Sequence, residues 1–331
     1  MIKLFFTFSL IFLLVLFLYF KNGGHIPFID RFSTKSVKWS IGIYEGDSLI
    51  NLSPHSSAHN PVLTRKDVTD VPADFVADPF MVIEDNSWYL FFEVLNANTN
   101  KGDIGLAMSH DGIRWKYKQI VLSESFHLSY PYVFRWKDSY YMIPESHQKH
   151  SIRLYKATDF PVKWTYARTL VEGRPFVDSS IVFFKDKWWI FTSSTSQDIL
   201  WLYYSNELEG PWIEHPQSPI IENNDNIARP AGRIIFLNNS LVRFAQNSYG
   251  MYVRAFKITD LTTTRYEERE ITQFPIIGHT GSGWNGGGMH HIDAHAVAKD
   301  KWIACVDGIG NQLIFGRKFY RIIKPLPWKA D

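Results

Sequence analysis

One cysteine, Cys305, is all that 331 residues contain. A single thiol builds neither an intrachain disulfide nor a zinc–thiolate centre, so redox chemistry does not assign a compartment. Long runs of Lys and Arg are missing too, and the formal charge is only +2 at pH 7. Proteins that neutralise nucleic-acid phosphates need clustered cations, so no nucleic-acid partner is expected. Helical periodicity is absent beyond residue 36. Gly283, Gly286, Gly287 and Gly288 do not make a phosphate-binding loop, because no lysine or helix follows them. They read as a flexible turn that delivers Trp284 and His290 to a site. No cofactor is expected.

What is present begins with an uncharged run, Leu4 to Phe20, rich in Leu, Phe and Ile. Roughly 17–25 apolar residues cross the hydrocarbon core of a bilayer. A cleavable signal has a shorter apolar core and a small-residue cleavage site, and none is obvious in Tyr19-Phe-Lys-Asn-Gly-Gly24. The expectation is a single-pass anchor over residues 1–22, in contact with the membrane through residues 4–20, then a linker over 23–36 and a folded domain over 37–331. Lys3 on one flank and Lys21, Arg31, Lys35 and Lys38 on the other leave the orientation open. A lumenal, periplasmic or extracellular domain is the favoured side. Asn51-Leu-Ser53 and Asn238-Asn-Ser240 match the glycosylation sequon, a triplet common by chance.

Past the linker, short aromatic and β-branched runs alternate with Asp, Asn, Gly and Ser, the composition of antiparallel strands. Five segments align: Ala77-Asp-Pro-Phe-Met-Val82, Ser129-Tyr-Pro-Tyr-Val-Phe134, Val177-Asp-Ser-Ser-Ile-Val182, Ala228-Arg-Pro-Ala-Gly-Arg233 and His290-His-Ile-Asp-Ala-His295. Second strands align as well, ending at Glu93, Glu145, Ser193, Gln246 and Asp307. Third strands follow in four of the units, and Trp115, Trp164, Trp212 or Tyr266 marks a fourth. Four-stranded units repeated radially make a propeller. The fold class is therefore all-β, a five-bladed β-propeller behind one N-terminal transmembrane helix, with blades starting near 77, 129, 177, 228 and 290. The last unit is short of strands, whereas Lys38-Trp-Ser-Ile-Gly-Ile-Tyr44 has strand composition and no unit of its own. It is expected to complete blade five and close the ring, removing an exposed edge.

First strands of propeller blades line the central channel, so Asp78, Tyr130, Asp178, Arg229 and His291 or Asp293 are expected to converge. The second-strand residues Glu93, Glu145, Ser193, Gln246 and Asp307 form an adjacent layer. Neighbouring buried carboxylates shift each other's pKa and can divide acid and base roles, the chemistry of glycoside cleavage. Asp78 with Asp178 is the candidate pair. The competing reading is structural: an Asp at a strand entrance closes a turn, repeated blade by blade. His291, Asp293 and His295 alternate and would share one strand face, with His290 and Ile292 on the other. Same-face neighbours on a strand are only ~7 Å apart with nearly parallel side chains, a poor match to tetrahedral metal coordination. No metal is expected, and these side chains read as hydrogen-bonding partners of a ligand or of a carboxylate. Arg229 and Arg233 suit an anion through bidentate contacts, or serve with Arg153 as structural partners of the acids.

Several motifs together resemble one family: Phe75-Val-Ala-Asp-Pro-Phe80, Leu90-Phe-Phe-Glu93, Gly102-Asp-Ile-Gly105, His127-Leu-Ser-Tyr-Pro-Tyr-Val-Phe134, Tyr141-Met-Ile-Pro-Glu-Ser146, Arg153-Leu-Tyr155 and Asp159-Phe-Pro161. So do Gly210-Pro-Trp212, Ala228 to Arg233, Trp284-Asn-Gly286 and His290-His-Ile-Asp293. About residues 37 to 310 resemble the N-terminal domain of plant glucosamine inositolphosphorylceramide transferases, a domain that also occurs alone or beside formyltransferase-like domains in bacteria. That domain is similar in fold to the five-bladed propellers of family-43 arabinanases and xylosidases and of invertases and levansucrases. The resemblance implies a general base at Asp78 and a carboxylate that tunes the acid at Asp178. It also implies a general acid where this chain carries Arg229, and an arginine cannot donate that proton. Three solutions follow: Glu145 supplies the acid, the leaving group is a phosphate paired with Arg229, or the site binds sugar without chemistry. The expectation is thus a carbohydrate-active propeller, glycosyl hydrolase or glycosyltransferase in type, acting on a carbohydrate or glycolipid in cell-surface glycoconjugate assembly or trimming. Asp78, Asp178 and Glu145 are its candidate catalytic residues. Glu93, Tyr130, Arg229, Arg233, His290, His291, Asp293 and Trp284 are its candidate substrate contacts. The alternative is a non-catalytic glycan-binding or scaffolding domain that serves a partner glycosyltransferase.

Overall fold

A computed structural model describes residues 38–247 and 250–310. The expected anchor at 1–22 and linker at 23–36 lie outside the described residues. Among the described residues no helix is long and apolar enough to cross a membrane.

Two strands open the chain, β1 (Ser40–Ser48) and β2 (Asn51–Pro54). Blade one holds β3 (Ala73–Glu84), β4 (Ser87–Asn96), β5 (Lys101–Ser109) and β6 (Lys116–Leu122). Blade two holds β7 (Ser129–Trp136), β8 (Ser139–Glu145), β9 (Ser151–Asp159) and β10 (Lys163–Glu172). Blade three holds β11 (Phe176–Phe184), β12 (Lys187–Ser194), β13 (Trp201–Ser205) and β14 (Ile213–Glu214). In blade four the inner edge is split into β15 (Arg229–Pro230) and β16 (Ile235–Leu237), followed by β17 (Ser240–Gln246), β18 (Tyr252–Leu261), β19 (Tyr266–Glu270) and β20 (Ile277–Gly278). Blade five has β21 (Ile292–Ala298) inside and β22 (Lys301–Gly308) next to it.

Blade five is completed from the other end of the domain. β1 runs antiparallel to β22 from Ser40 opposite Gly308 to Gly46 opposite Trp302, and β2 pairs with β1 to form the outer edge. Two N-terminal strands close the ring where the sequence pattern had suggested one. Apolar alternation on the strands packs each sheet against the next. One cluster fills each junction among the described residues: Phe91, Val133 and Tyr155 between blades one and two, for example, and Ile41, Ile43 and Phe92 between blades five and one.

Three inner strands share a local distortion. Strand register slips between Ala77 and Phe80, between Ser129 and Tyr132, and between Val177 and Ser180. Within each slip sits a residue in the left-handed region: Asp78 at φ 52°, Tyr130 at φ 44° and Asp178 at φ 48°. Bulges re-aim side chains, and a non-glycine residue in this region costs of order 1–3 kcal/mol. The repeat therefore spends backbone strain at the residues whose alignment marked them as channel-lining.

Candidate active site

The second-strand layer forms as the alignment anticipates. Glu93 lies opposite Ala77, Glu145 opposite Ser129, Ser193 opposite Val177 and Gln246 opposite Arg229, and all four are buried. Asp307 pairs with Ile41 and is fully buried. Asp78 and Asp178 are buried beside them, and the five carboxyl groups form one coupled electrostatic cluster.

Asp178 is held hardest. Its Oδ2 accepts Arg229 Nε at 2.5 Å and Gln246 Nε2 at 2.9 Å. Its Oδ1 is buried with no N–H donor on it. Glu145 in turn accepts His147 Nδ1 at 2.7 Å. Burial, with the repulsion of Glu145 and Asp78, raises the Asp178 pKa well above the usual carboxylate range, although Arg229 opposes the shift. Burial acts on Glu145 in the same direction, but the hydrogen bonds from His147 and Asp178 and the charge of Arg229 outweigh it, and its pKa is lowered. The pKa values of the two carboxyl groups are thus pushed apart, Asp178 upward and Glu145 downward.

Asp78 is a different kind of acid. Burial raises its pKa to about 6, with Asp307 and Glu145 adding to the rise and His290 and Arg229 limiting it. Its Oδ2 accepts the Tyr130 N–H at 3.3 Å, while His290 Nε2 and His291 Nδ1 stand 3.6 and 3.8 Å from Oδ1. The Glu93 pKa is raised well above the usual range by burial and by the charges of Asp78, Glu145, Asp178 and Asp307. His127 Nδ1 accepts the Gly102 N–H at 2.9 Å, so its Nε2 carries the proton that faces Glu93 Oε1 at 3.3 Å.

The other sequence-derived candidates divide. Tyr130 is a strut: its hydroxyl spans to Ser180 and to both backbone groups of Gly232, joining blades two, three and four. His291 is sealed, wedged edge-on against Phe80 and Tyr130, and burial pulls its pKa down to about 4. It precedes β21, so only Asp293 and His295 of the alternating trio share a strand face, 3.1 Å apart. Arg233 meets Asp293 at 2.7 and 3.3 Å and also donates to the carbonyls of Val133 and Met81. These two tie blades four, five, one and two together. Trp284 lies across blade five over Gly42, where a Cβ would come within 2.6 Å of its ring.

Asp78, His290 and Asp307 offer ligand atoms within 4.8 Å of one another, the spacing of a metal site. The donor pattern does not suit one. Asp307 Oδ1 accepts the backbone N–H groups of His290 and His291 at 3.2 and 3.0 Å and His290 Nδ1 at 2.7 Å, while Oδ2 accepts the Asp78 N–H at 3.1 Å. Its lone pairs are committed to N–H donors. Sequence reasoning missed three contributors: His127, His147 and Trp39, whose ring stacks on His290 at 4.0 Å. All three lie outside the strands that the repeat aligns, in the crossing before β7, the turn after β8 and the approach to β1.

A five-bladed propeller with a buried cluster of ionisable side chains on its first and second strands defines the class, and solved structures share its fold. These include an exo-β-1,3-galactanase from Clostridium thermocellum (TM-score 0.57, 13% identity, 69% of this chain and 55% of that one). A family 117 glycoside hydrolase from Zobellia galactanivorans is another (TM-score 0.51, 11% identity, 76% and 93%). At these identities the likeness is one of fold. The chain belongs to the family described as glucosamine inositolphosphorylceramide transferase 1, N-terminal, which matches residues 33–309. It is 40% identical over 296 residues to glucosamine inositolphosphorylceramide transferase 1 of Oryza sativa subsp. japonica and 32% identical over 339 residues to that of Arabidopsis thaliana. Those alignments cover 82% and 92% of this chain but only 40% and 44% of the relatives, so the chain spans less than half of their length.

Proposed function

We propose that the channel end bearing Asp78 binds a sugar of a glycoconjugate and moves its glycosyl group to water or to an acceptor hydroxyl. The observation that carries this reading is the pairing of two proton-handling units of opposite character. Asp78, with a pKa of about 6, is ionised at neutral pH and takes the proton of the attacking O–H. The Glu145–Asp178 pair retains a proton and gives it to the leaving oxygen as the glycosidic C–O bond breaks and the new C–O bond forms. Arg229 fixes the Asp178 carboxyl and does not act as the acid. The name of the relatives, glucosamine inositolphosphorylceramide transferase 1, supports a glycoconjugate as the substrate class. The uncharged run at residues 4–20 supports a single-pass membrane anchor; a lumenal, periplasmic or extracellular propeller is the side this reading takes.

The test uses the full-length chain in detergent with panels of glycosides and of nucleotide- or lipid-linked sugars. Turnover that disappears in Asp78→Asn is the expected result. Arg229 in place of an acid favours a second reading, a glycan-binding domain serving a partner transferase. Saturable glycan binding with no turnover, unchanged in Asp78→Asn, would establish that one instead. Resistance of the membrane-bound chain to alkaline carbonate extraction checks the anchor.

A further inference from the structure

We infer that His290, aimed by Asp307 and clamped by Trp39, is the positioning residue that keeps Asp78 ionised, so that Asp307, His290 and Asp78 act as one base. The inference rests on reading Asp78 as the base. Asp307 is the fixed point: as a carboxylate receiving four N–H donors, it can neither rotate nor release His290 without losing several bonds. Its hold on Nδ1 at 2.7 Å fixes the ring and leaves Nε2, a donor in the cation, directed at Asp78 Oδ1 across 3.6 Å. That gap is too long for a direct hydrogen bond and short enough for charge to act with little screening in a buried site.

Two further contacts prevent the imidazole from swinging. Trp39 lies nearly flat on it, with ring centroids 4.0 Å apart and planes at 26°. Gly250, at φ 62°, backs this stack: a Cβ there would sit 3.4 Å from the indole and 3.5 Å from His290 Cβ. The charged groups that face His290 are Asp307 and Asp78, which favour its cation, and Arg229, which opposes it; His291 beside it is neutral. Burial alone would depress the His290 pKa, yet the two aspartates outweigh it and the pKa is raised. A buried aspartate left alone protonates. The neighbouring imidazolium is the largest influence opposing that at Asp78.

His290→Gln separates this role from a packing role. With the cation gone, the acid limb of the kcat/KM profile should move to higher pH by about one unit or more, and the variant should recover towards wild-type rate at alkaline pH. A loss of equal size at every pH overturns the proposal. A second readout does not need turnover. In carbon-detected NMR of the full-length chain, the Asp78 carboxyl should titrate at higher pH in His290→Gln than in the wild type, and an unchanged midpoint also overturns it. The wild type guards against a folding defect in the variant: its His290 ring should titrate above the ordinary histidine value of about 6.5, and a midpoint below 6 refutes the relay. If no glycosyl transfer is found yet the Asp78 midpoint shifts, the functional reading fails and the relay stands.

Discussion

Arg229 Nε and Asp178 Oδ2 lie 2.5 Å apart, joining blade four to blade three at the residues that open their inner strands. Gln246, paired opposite Arg229, adds a second donor to the same oxygen. The consequence is an asymmetric carboxyl: one oxygen accepts two donors and the other is buried with no N–H donor on it. The arginine here orients a neighbouring carboxyl group.

Asp178→Asn removes the carboxyl whose pKa is raised while retaining shape. Turnover should fall by about 10²–10⁴-fold, the usual contribution of a positioned acid. The acid limb, set by Asp78, should remain near its wild-type position. Steady-state rates across pH, with circular dichroism to confirm folding, check this. Loss of the acid limb as well would show that the two units are not separate.

Arg229→Gln leaves Asp178 without its cation. Arg229 lowers the pKa of both Asp178 and Asp78, so both carboxyls should titrate at higher pH in the variant. The base then ionises later and the acid holds its proton longer, which moves the whole rate profile to the alkaline side. Breaking one side of a buried pair also costs about 3–5 kcal/mol, read as a lower urea midpoint. A profile that keeps its position would mean that Arg229 serves packing alone.

Ring architecture was legible because the propeller repeats: Asp78, Tyr130 and Asp178 occupy the same bulged position in successive blades, and periodicity exposes equivalence. Roles were harder to read, because they depend on what lies across the channel. Tyr130 aligned with two aspartates and is a strut, since its hydroxyl happens to reach Gly232. Arg233 and His290 are both polar residues beside inner strands, yet one is clamped between backbone carbonyls and the other faces Asp78. Histidines 127 and 147 come from loops, where no repeat constrains the chain and no alignment of strands could mark them.

The Arg233–Asp293 pair should govern acid stability. Burial opposes ionisation of Asp293, but Arg233 and His295 more than compensate and hold its pKa well below the ordinary aspartate value. A depressed folded-state pKa gives stability that is fully present above the unfolded value of about 3.9 and is lost as pH falls further. Asp293→Asn should therefore be destabilised by about 3–5 kcal/mol at pH 7, because Arg233 is left buried without its anion. The variant should also show a flatter fall of urea midpoint between pH 4 and 2.5 than the wild type. Parallel curves would assign acid sensitivity to other groups.

Ring closure makes the last prediction. β1 contributes Ile41 and Ile43, both fully buried between blades five and one, and pairs with β22 from Trp302 to Gly308. Removing residues 38–54 would expose β22 as an unpaired edge with an apolar face, the arrangement that templates aggregation. The deleted protein should be insoluble or unfolded, and a soluble product with native circular dichroism would refute strand closure. Ile43→Ala is the graded version: it leaves the pairing with Cys305 intact and removes side-chain volume from the junction, so it should cost about 2–5 kcal/mol in thermal or urea unfolding. Blade five also carries Asp307, opposite Ile41, which accepts the Asp78 N–H, and so the position of Asp78 depends on the same strand. A variant loosened at Ile43 should therefore lose activity at a lower temperature than it loses far-ultraviolet circular dichroism.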